Sequence, residues 1–89
     1  MIKIIDNDML VKQIDSKMFL AAFGRRMKQL RKQKGEKFSQ EKLSETSNLH
    51  RNYISDAERG TRNVSLVAIC KIIQGLDVSI AEFFAEGFD

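Results

Sequence analysis

Three residues whose side chains can contact nucleic-acid bases stand close together in the middle of this chain: Arg51, Asn52 and Ser55. An arginine can donate two hydrogen bonds to one guanine, an asparagine can pair with adenine, and a serine can bond to several base edges. Residues three or four positions apart lie on the same side of a helix. The pattern therefore predicts a helix whose outer face contacts base edges through these three side chains.

The neighbouring residues predict two short helices joined by a tight turn, within the stretch from Phe38 to Gly60. Ser39 can cap the first helix by accepting a backbone N–H. Asn48 is, after glycine, the residue type that best tolerates the left-handed conformation of a sharp turn. In the second helix Ile54 and Ala57 point inward at i and i+3. This arrangement is a helix-turn-helix, whose second helix enters the major groove of DNA.

Other kinds of chemistry find no support in the sequence. The single histidine, His50, has no cysteine or second histidine with which to share a metal, and no nucleophile is spaced for activation. One cysteine, Cys70, excludes a disulfide framework, and we expect its side chain to be buried. We predict no catalytic residue, metal, cofactor or small-molecule ligand. No apolar run approaches a membrane span and no signal segment opens the chain, so we expect a cytoplasmic protein.

Charge is distributed unevenly along the 89 residues. Residues 24–37 hold seven cations and one acid, a net charge of +6, whereas residues 64–89 carry a net charge of −3. A basic region beside a helix-turn-helix suits a polyanion, and the acidic end suits a different contact. The length predicts one domain with a small core, for which dimerisation is a natural source of added stability.

Before the helix-turn-helix, the sequence predicts a helix that starts at Ser16 or Lys17 and runs to Lys34, where Gly35 ends it. Its apolar residues recur at helical spacing, which indicates one buried stripe. That stripe consists of Phe19, Phe23, Met27 and Leu30. The cations occupy its other faces.

After the helix-turn-helix, the sequence predicts a helix that is capped by Ser65, runs to about Gln74 and ends at Gly75. Its apolar residues at i, i+3, i+4 and i+7 again indicate one buried face. That face consists of Leu66, Ile69, Cys70 and Ile73.

The last helix begins with a capping box formed by Ser79 and Glu82. It carries more apolar surface than a core of this size requires, so we expect part of it to face a second copy in a homodimer. The expected interface residues are Ile80, Phe83, Phe84 and Phe88. Residues 1–16 form an extension of undecided role: an arm across the dimer, a cover for the core, or a tail.

The motif resembles the helix-turn-helix of the Cro/C1 (Xre-type) family, and most closely that of the controller proteins of restriction–modification systems. The resemblance covers roughly Phe23 to Phe84 and depends on the run Ser39-Gln40-Glu41 and on Tyr53 to Gly60. The chain departs from the family pattern with Ser44 for alanine, Asn48 for glycine, His50 for a hydroxyl cap, and a loop at 35–38 about two residues longer. The resemblance implies an all-α, five-helix, lambda-repressor-like DNA-binding domain at residues 17–89, after the extension at 1–16.

The resemblance also implies roles for individual residues. Gln40 is expected to contact a phosphate, and Arg31 is expected to form a structural ion pair with Glu58. Contacts to the DNA backbone position a protein on the duplex without specifying sequence. The residues expected to make them are Ser39, Gln40, His50, Tyr53, Arg59, Arg62 and Asn63.

The sequence as a whole predicts a transcriptional regulator that binds double-stranded operator DNA as a homodimer. A controller protein of a restriction–modification system and a phage-type repressor both fit this description. Two alternatives remain open at this point. One is a DNA-binding antitoxin that sequesters a toxin, and the other is a protein-interaction module that has lost DNA binding.

Overall fold

Residues 15–89 are described by a computed structural model, and every regular element in that range is helical. The first fourteen residues, which hold most of the predicted extension and the possible dimer arm, lie outside the described residues. From residue 15 onward, no helix is both long and apolar enough to cross a membrane. The five helices are α1 (Ser16–Gln33), α2 (Gln40–Ser47), α3 (Arg51–Arg59), α4 (Leu66–Leu76) and α5 (Ile80–Phe83).

Each helix begins at a side chain that accepts a backbone N–H of its first turn. The predicted caps are confirmed: Ser39 Oγ accepts from Lys42 N at 3.1 Å, and Ser65 and Ser79 act in the same way. The first helix is capped by Asp15, whose carboxylate accepts from Lys17 N at 2.9 Å. Such caps satisfy donors that would otherwise have no partner in the helix. Helix starts are therefore fixed by local sequence.

The core lies where α1, α2, α3 and α4 meet, with α5 closing one end. Its largest fully buried side chains leave at most 1% of their surface exposed. They come from all five helices, which binds the helices into one packed unit. These side chains are Phe23, Met27, Leu43, Ile54, Ile72, Leu76 and Phe83.

The predicted face of α4 is right at Ile73, which is buried, and wrong at Leu66 and Cys70, because the helix turns a different stripe inward. Leu66 is 78% exposed and Cys70 is exposed, whereas Ala68, Ile72 and Leu76, spaced at i, i+4 and i+8, are buried. The helix is apolar on nearly every side, so spacing alone does not determine which side faces inward. The inward side of α4 is determined by its contact with α2, where Gly75 lies against Ser47.

Glycines permit two close helix crossings. Gly75, predicted to end α4, lies inside that helix, and a Cβ there would be 2.9 Å from Ser47 Cβ in α2. The chain turns instead at Asp77, which adopts the left-handed conformation (φ 60°). In α1, a Cβ on Gly24 would be 2.5 Å from the carbonyl oxygens of Ala57 and Glu58 in α3. Both positions exclude any side chain.

We expect Gly24→Ala to lower the free energy of unfolding by about 1–3 kcal/mol, the usual cost of overpacking. The added methyl group would meet backbone oxygens of α3, which cannot move without shifting the helix. Chemical denaturation measures the effect. Lys28→Ala, at an exposed position of the same helix, is the control and should change stability by less than about 0.5 kcal/mol. A stabilised Gly24→Ala protein, as helix propensity alone would give, would contradict this packing.

The aromatic residues near the C-terminus form an internal cluster. Phe83 is 0% exposed, and its ring centroid lies 5.0 Å from that of Phe23 and 4.9 Å from that of Phe84. Phe88 lies 4.9 Å from Phe84 and 5.6 Å from Phe19 at the start of α1. A dimer contact made by Phe83 is therefore wrong, because its ring has no surface left for a partner. Phe84 and Phe88 are half-buried in the same cluster.

Arg26 explains why this end of the chain packs on α1. Its buried guanidinium donates to the backbone oxygen of Phe83 at 2.7 Å and to that of Glu82 at 2.6 Å. It also lies 3.4 Å from the carboxylate of Glu86. Carbonyls at the end of a helix lack intrahelical donors, and here an arginine supplies them. One cation of the basic region thus stabilises the acidic end of the chain.

Candidate nucleic-acid interface

The turn between α2 and α3 presents α3 to solvent in the way the sequence predicts. Asn48 adopts the left-handed conformation (φ 59°, ψ 41°), which reverses the chain direction in a single residue. Ser44 Oγ donates to the carbonyl oxygen of Leu49 and fixes the end of the turn. Ile54 and Ala57 are buried, so the opposite face of α3 points outward. The turn at Asn48 and the burial of Ile54 and Ala57 together hold α3 across α2 as a helix-turn-helix.

At the N-terminus of α3, Arg51 and Asn52 are exposed side by side. His50 caps this end: its Nδ1 accepts from the backbone N–H of Asn52 at 3.0 Å. Although His50 replaces the hydroxyl residue of the family pattern, it satisfies the same backbone donor. In the neutral ring this leaves the proton on Nε2, which can donate outward. Arg51 and Asn52, the predicted base contacts, therefore lie at the exposed and capped start of α3.

The third predicted base contact, Ser55, is already engaged within the chain. Arg59 lies one turn further along α3, and its Nη1 donates to Ser55 Oγ at 2.7 Å. Ser55 is half-buried, and the side chain of Arg59 is 60% exposed. A serine in this position can still accept or donate one further hydrogen bond. The guanidinium beside it is the more prominent group on this part of the surface.

Asp56, which the sequence reasoning left unassigned, connects the remaining polar residues of this surface. One carboxylate oxygen accepts from Arg59, and the other accepts from Arg62 Nη2 at 3.2 Å. The guanidinium of Arg62 stacks on the ring of Tyr53, 4.3 Å from its centroid. Tyr53 Oη in turn accepts from the backbone N–H of Ser65 at 3.2 Å. Acid and base at i and i+3, as in Asp56 and Arg59, were the signal that could have revealed this network.

A second network fixes α3 against α1 and α2. Arg31 Nε donates to Glu58 Oε2 at 2.6 Å, and Arg31 Nη2 donates to Glu58 Oε1 at 3.1 Å. Gln40 Nε2 donates to the same Oε1 at 3.0 Å. Gln40, expected at a phosphate, is thus bonded to the end of α3 and is half-buried. This network fixes the C-terminal end of α3 against α1 and α2.

The basic region divides into structural and exposed cations. Arg26 is buried and Arg31 is paired, so neither is available as a free surface charge. The other five cations of residues 24–37 are exposed, as are Ser39 and Asn63 on the loops beside α2 and α3. The exposed cations are Arg25, Lys28, Lys32, Lys34 and Lys37.

Within residues 15–89, His, Cys, Asp and Glu side chains form no group of three that could hold a metal ion. The polar groups that are arranged together are instead hydrogen-bond donors on one exposed helix and the loops next to it. Arginine and asparagine donors on a helix of this kind are suited to base edges, and the surrounding arginines to phosphates.

Comparison with known proteins supports this interpretation. The model of the helix-turn-helix family matches residues 27–83. The control protein C.BamHI of Bacillus amyloliquefaciens is 55% identical over 56 residues, which are 63% of this chain and 68% of that protein. The control protein C.MunI of a Mycoplasma species is 44% identical over 64 residues, which are 72% of this chain and 85% of that protein.

Solved structures of restriction–modification controller proteins share the fold. C.AhdI from Aeromonas hydrophila superposes with a TM-score of 0.68 and 47% identity, over 74% of this chain and 97% of that one. C.Esp1396I, crystallised as a tetramer with its natural 35-base-pair operator, gives a TM-score of 0.69 and 39% identity. That match covers 74% of this chain and 84% of that one.

Proposed function

This chain belongs to the helix-turn-helix family of Cro/C1-type DNA-binding domains, and we propose that it is a controller protein of a restriction–modification system that binds operator DNA. The observation that carries this proposal is the exposed pair Arg51 and Asn52 at the capped N-terminus of α3. The operator complex of C.Esp1396I supports it. The protein acts in the cytoplasm, where such DNA is found, and works by binding rather than by catalysis.

Recognition proceeds in two parts. The N-terminal end of α3 enters the major groove, where Arg51 donates to guanine and Asn52 pairs with adenine. Arg59 and Arg62, on and after α3, would contact the phosphates that flank the groove and so set the register of the complex. The bonds to Asp56 hold Arg59 and Arg62 in place before DNA arrives, which lowers the ordering cost of binding.

We propose that the protein binds as a homodimer through an apolar face formed by α4 and the start of α5. Leu66, Val67 and Ile80 on this face are 64–78% exposed, and Cys70 is exposed between them. Apolar surface of this kind, on a chain that does not need it for its own core, suits a two-fold contact. The two copies of α3 would then lie about 34 Å apart, one turn of DNA.

Selection of bound duplexes from a random DNA pool tests the proposal, and Arg51→Ala tests its register. Loss of a bidentate contact should cost about 1–3 kcal/mol per half-site and relax the preference at one base pair. Mobility-shift titration with the selected duplex and its single-base variants measures both effects.

Arg25→Ala is the matched control, because it removes the same charge from an exposed position on α1. It should leave the base preference unchanged. If Arg51→Ala binds all variants with the discrimination of the wild-type protein, Arg51 does not contact a base. If the wild-type protein selects no sequence at all, the proposed function itself is wrong.

A further inference from the structure

Asp56 is a carboxylate on the surface that the proposed function turns toward a polyanion. It lies one turn after Asn52 on α3, and its side chain is 29% exposed. A negative charge beside phosphates is unfavourable, so its presence on this surface requires an explanation. Its two oxygens are bonded to two different arginines, Arg59 and Arg62.

The bonds to Asp56 determine both the charge and the position of the two arginines. Together the three side chains carry a net charge of +1, where the two arginines alone would carry +2. Arg59 is also held by Ser55, and Arg62 is stacked on Tyr53. Each guanidinium is thus fixed from two sides. An arginine held in this way has a shorter reach, so which phosphate it can meet depends more strongly on the register of the protein on the duplex.

Arg62 also contains an unused donor. Its Nε is buried and has no acceptor among residues 15–89. Arg62 is positioned by its Nη2 bond to Asp56 and by its stacking on Tyr53, whereas its Nε takes no part.

We propose, on the basis of the proposed function, that Asp56 is a specificity-determining residue that restrains Arg59 and Arg62. Bound to Asp56, the two arginines contact phosphates when α3 is seated in its correct register and contribute little to binding elsewhere. Without Asp56, two long and mobile cations reach phosphates of any sequence. Non-specific binding depends almost entirely on such contacts and therefore gains more than specific binding does.

The test compares wild-type protein with Asp56→Asn on two labelled duplexes, the one selected from a random pool and a scrambled version, at 50–200 mM salt. Each uncompensated cation steepens the dependence of log K on log salt by about 0.9. A dimer in which two protomers each release one or two arginines should therefore show a slope steeper by about 1.8 to 3.6 on the scrambled duplex. Affinity for that duplex rises severalfold, and the ratio of specific to non-specific affinity falls.

Two further variants decide the result. Asp89→Asn makes the same chemical change in the exposed C-terminal segment and should leave the slope and the ratio unchanged. Asp56→Ala removes the same charge and introduces a better helix former. If Asp56→Asn fails to fold, Asp56→Ala still tests the inference. Thermal unfolding confirms that each variant is folded at the assay temperature.

A purely structural role for Asp56 would lower binding to both duplexes together, without a steeper slope, and would overturn the inference. A changed preference at one base pair with unchanged non-specific affinity would identify Asp56 as a base contact and would also overturn it. In either case the wild-type protein still prefers its selected duplex, so the proposed function stands. Loss of that preference in the wild-type protein would instead refute the proposed function.

Discussion

Replacing Glu58 with alanine should lower the free energy of unfolding by about 3–5 kcal/mol, because it leaves a buried guanidinium without its partner. The side chain of Glu58 is 3% exposed and that of Arg31 is 11% exposed. The carboxylate accepts two hydrogen bonds from Arg31 and one from Gln40, so three donors lose their acceptor at once. At about 4–8 °C per kcal/mol for a domain of this size, the melting temperature should fall by more than about 12 °C.

A double-mutant cycle separates the pair from its surroundings. Arg31→Ala should also destabilise the protein, because it strands the carboxylate of Glu58. The double variant should lose less than the sum of the two, since neither charge is then left unpaired. Urea denaturation at one fixed protein concentration measures all four proteins, which matters if the chain dimerises.

The exposed pair Lys42 and Glu45 provides the control cycle. Their charged atoms lie 3.7 Å apart on α2, and more than half of each side chain is exposed. Exposed pairs of this kind contribute less than about 1 kcal/mol. Additive effects in the Arg31 and Glu58 cycle, as expected for the control cycle, would mean that the buried pair does not form in solution.

Features fixed by a few neighbouring residues could be predicted from the sequence. The left-handed turn at Asn48 and the caps at Ser39, Ser65 and Ser79 follow from side-chain chemistry within four residues. The inward face of α3 follows from Ile54 and Ala57, because the rest of that helix is polar. The helix-turn-helix is therefore readable locally, and with it the exposed positions of Arg51 and Asn52.

Features that depend on a distant partner could not be predicted. α4 is apolar on most sides, and only its contact with Ser47 makes Gly75 a buried helix residue rather than a helix end. The exposure of Cys70 follows from the same choice of face. Sequence spacing offers two possible stripes on α4 and no physical reason to prefer either.

Side chains with two possible partners were equally hard to assign. Arg26 belongs to a basic run that suits a polyanion, yet its guanidinium binds the backbone oxygens of Glu82 and Phe83, 56 and 57 residues away. The role of Asp56 depends on Arg62, which follows α3 in the chain and stacks on Tyr53 in the fold. Charge patterns thus predict the kind of partner, and only the fold determines which partner each charge meets.

Phe83→Ala should lower the free energy of unfolding by about 3–5 kcal/mol, the usual cost of truncating a fully buried phenylalanine. The ring contacts Phe23 in α1 and Phe84 beside it, so its removal opens a cavity where α5 packs on α1. Met18→Ala is the control, at a position outside the proposed dimer face. Met18 is 70% exposed on α1, and its truncation should change stability by less than about 0.5 kcal/mol.

A comparison of Phe83→Ala with Leu66→Glu decides which surface forms the two-fold contact. Leu66→Glu places a charge on the α4–α5 apolar face at a residue that is 78% exposed, so it should dissociate the dimer while the chain stays folded. Analytical ultracentrifugation measures assembly, and urea denaturation measures stability. Phe83→Ala should therefore fail by unfolding and Leu66→Glu by dissociation. If Phe83→Ala instead yields stable monomers while Leu66→Glu remains dimeric, the aromatic cluster holds the dimer and the α4–α5 apolar face does not.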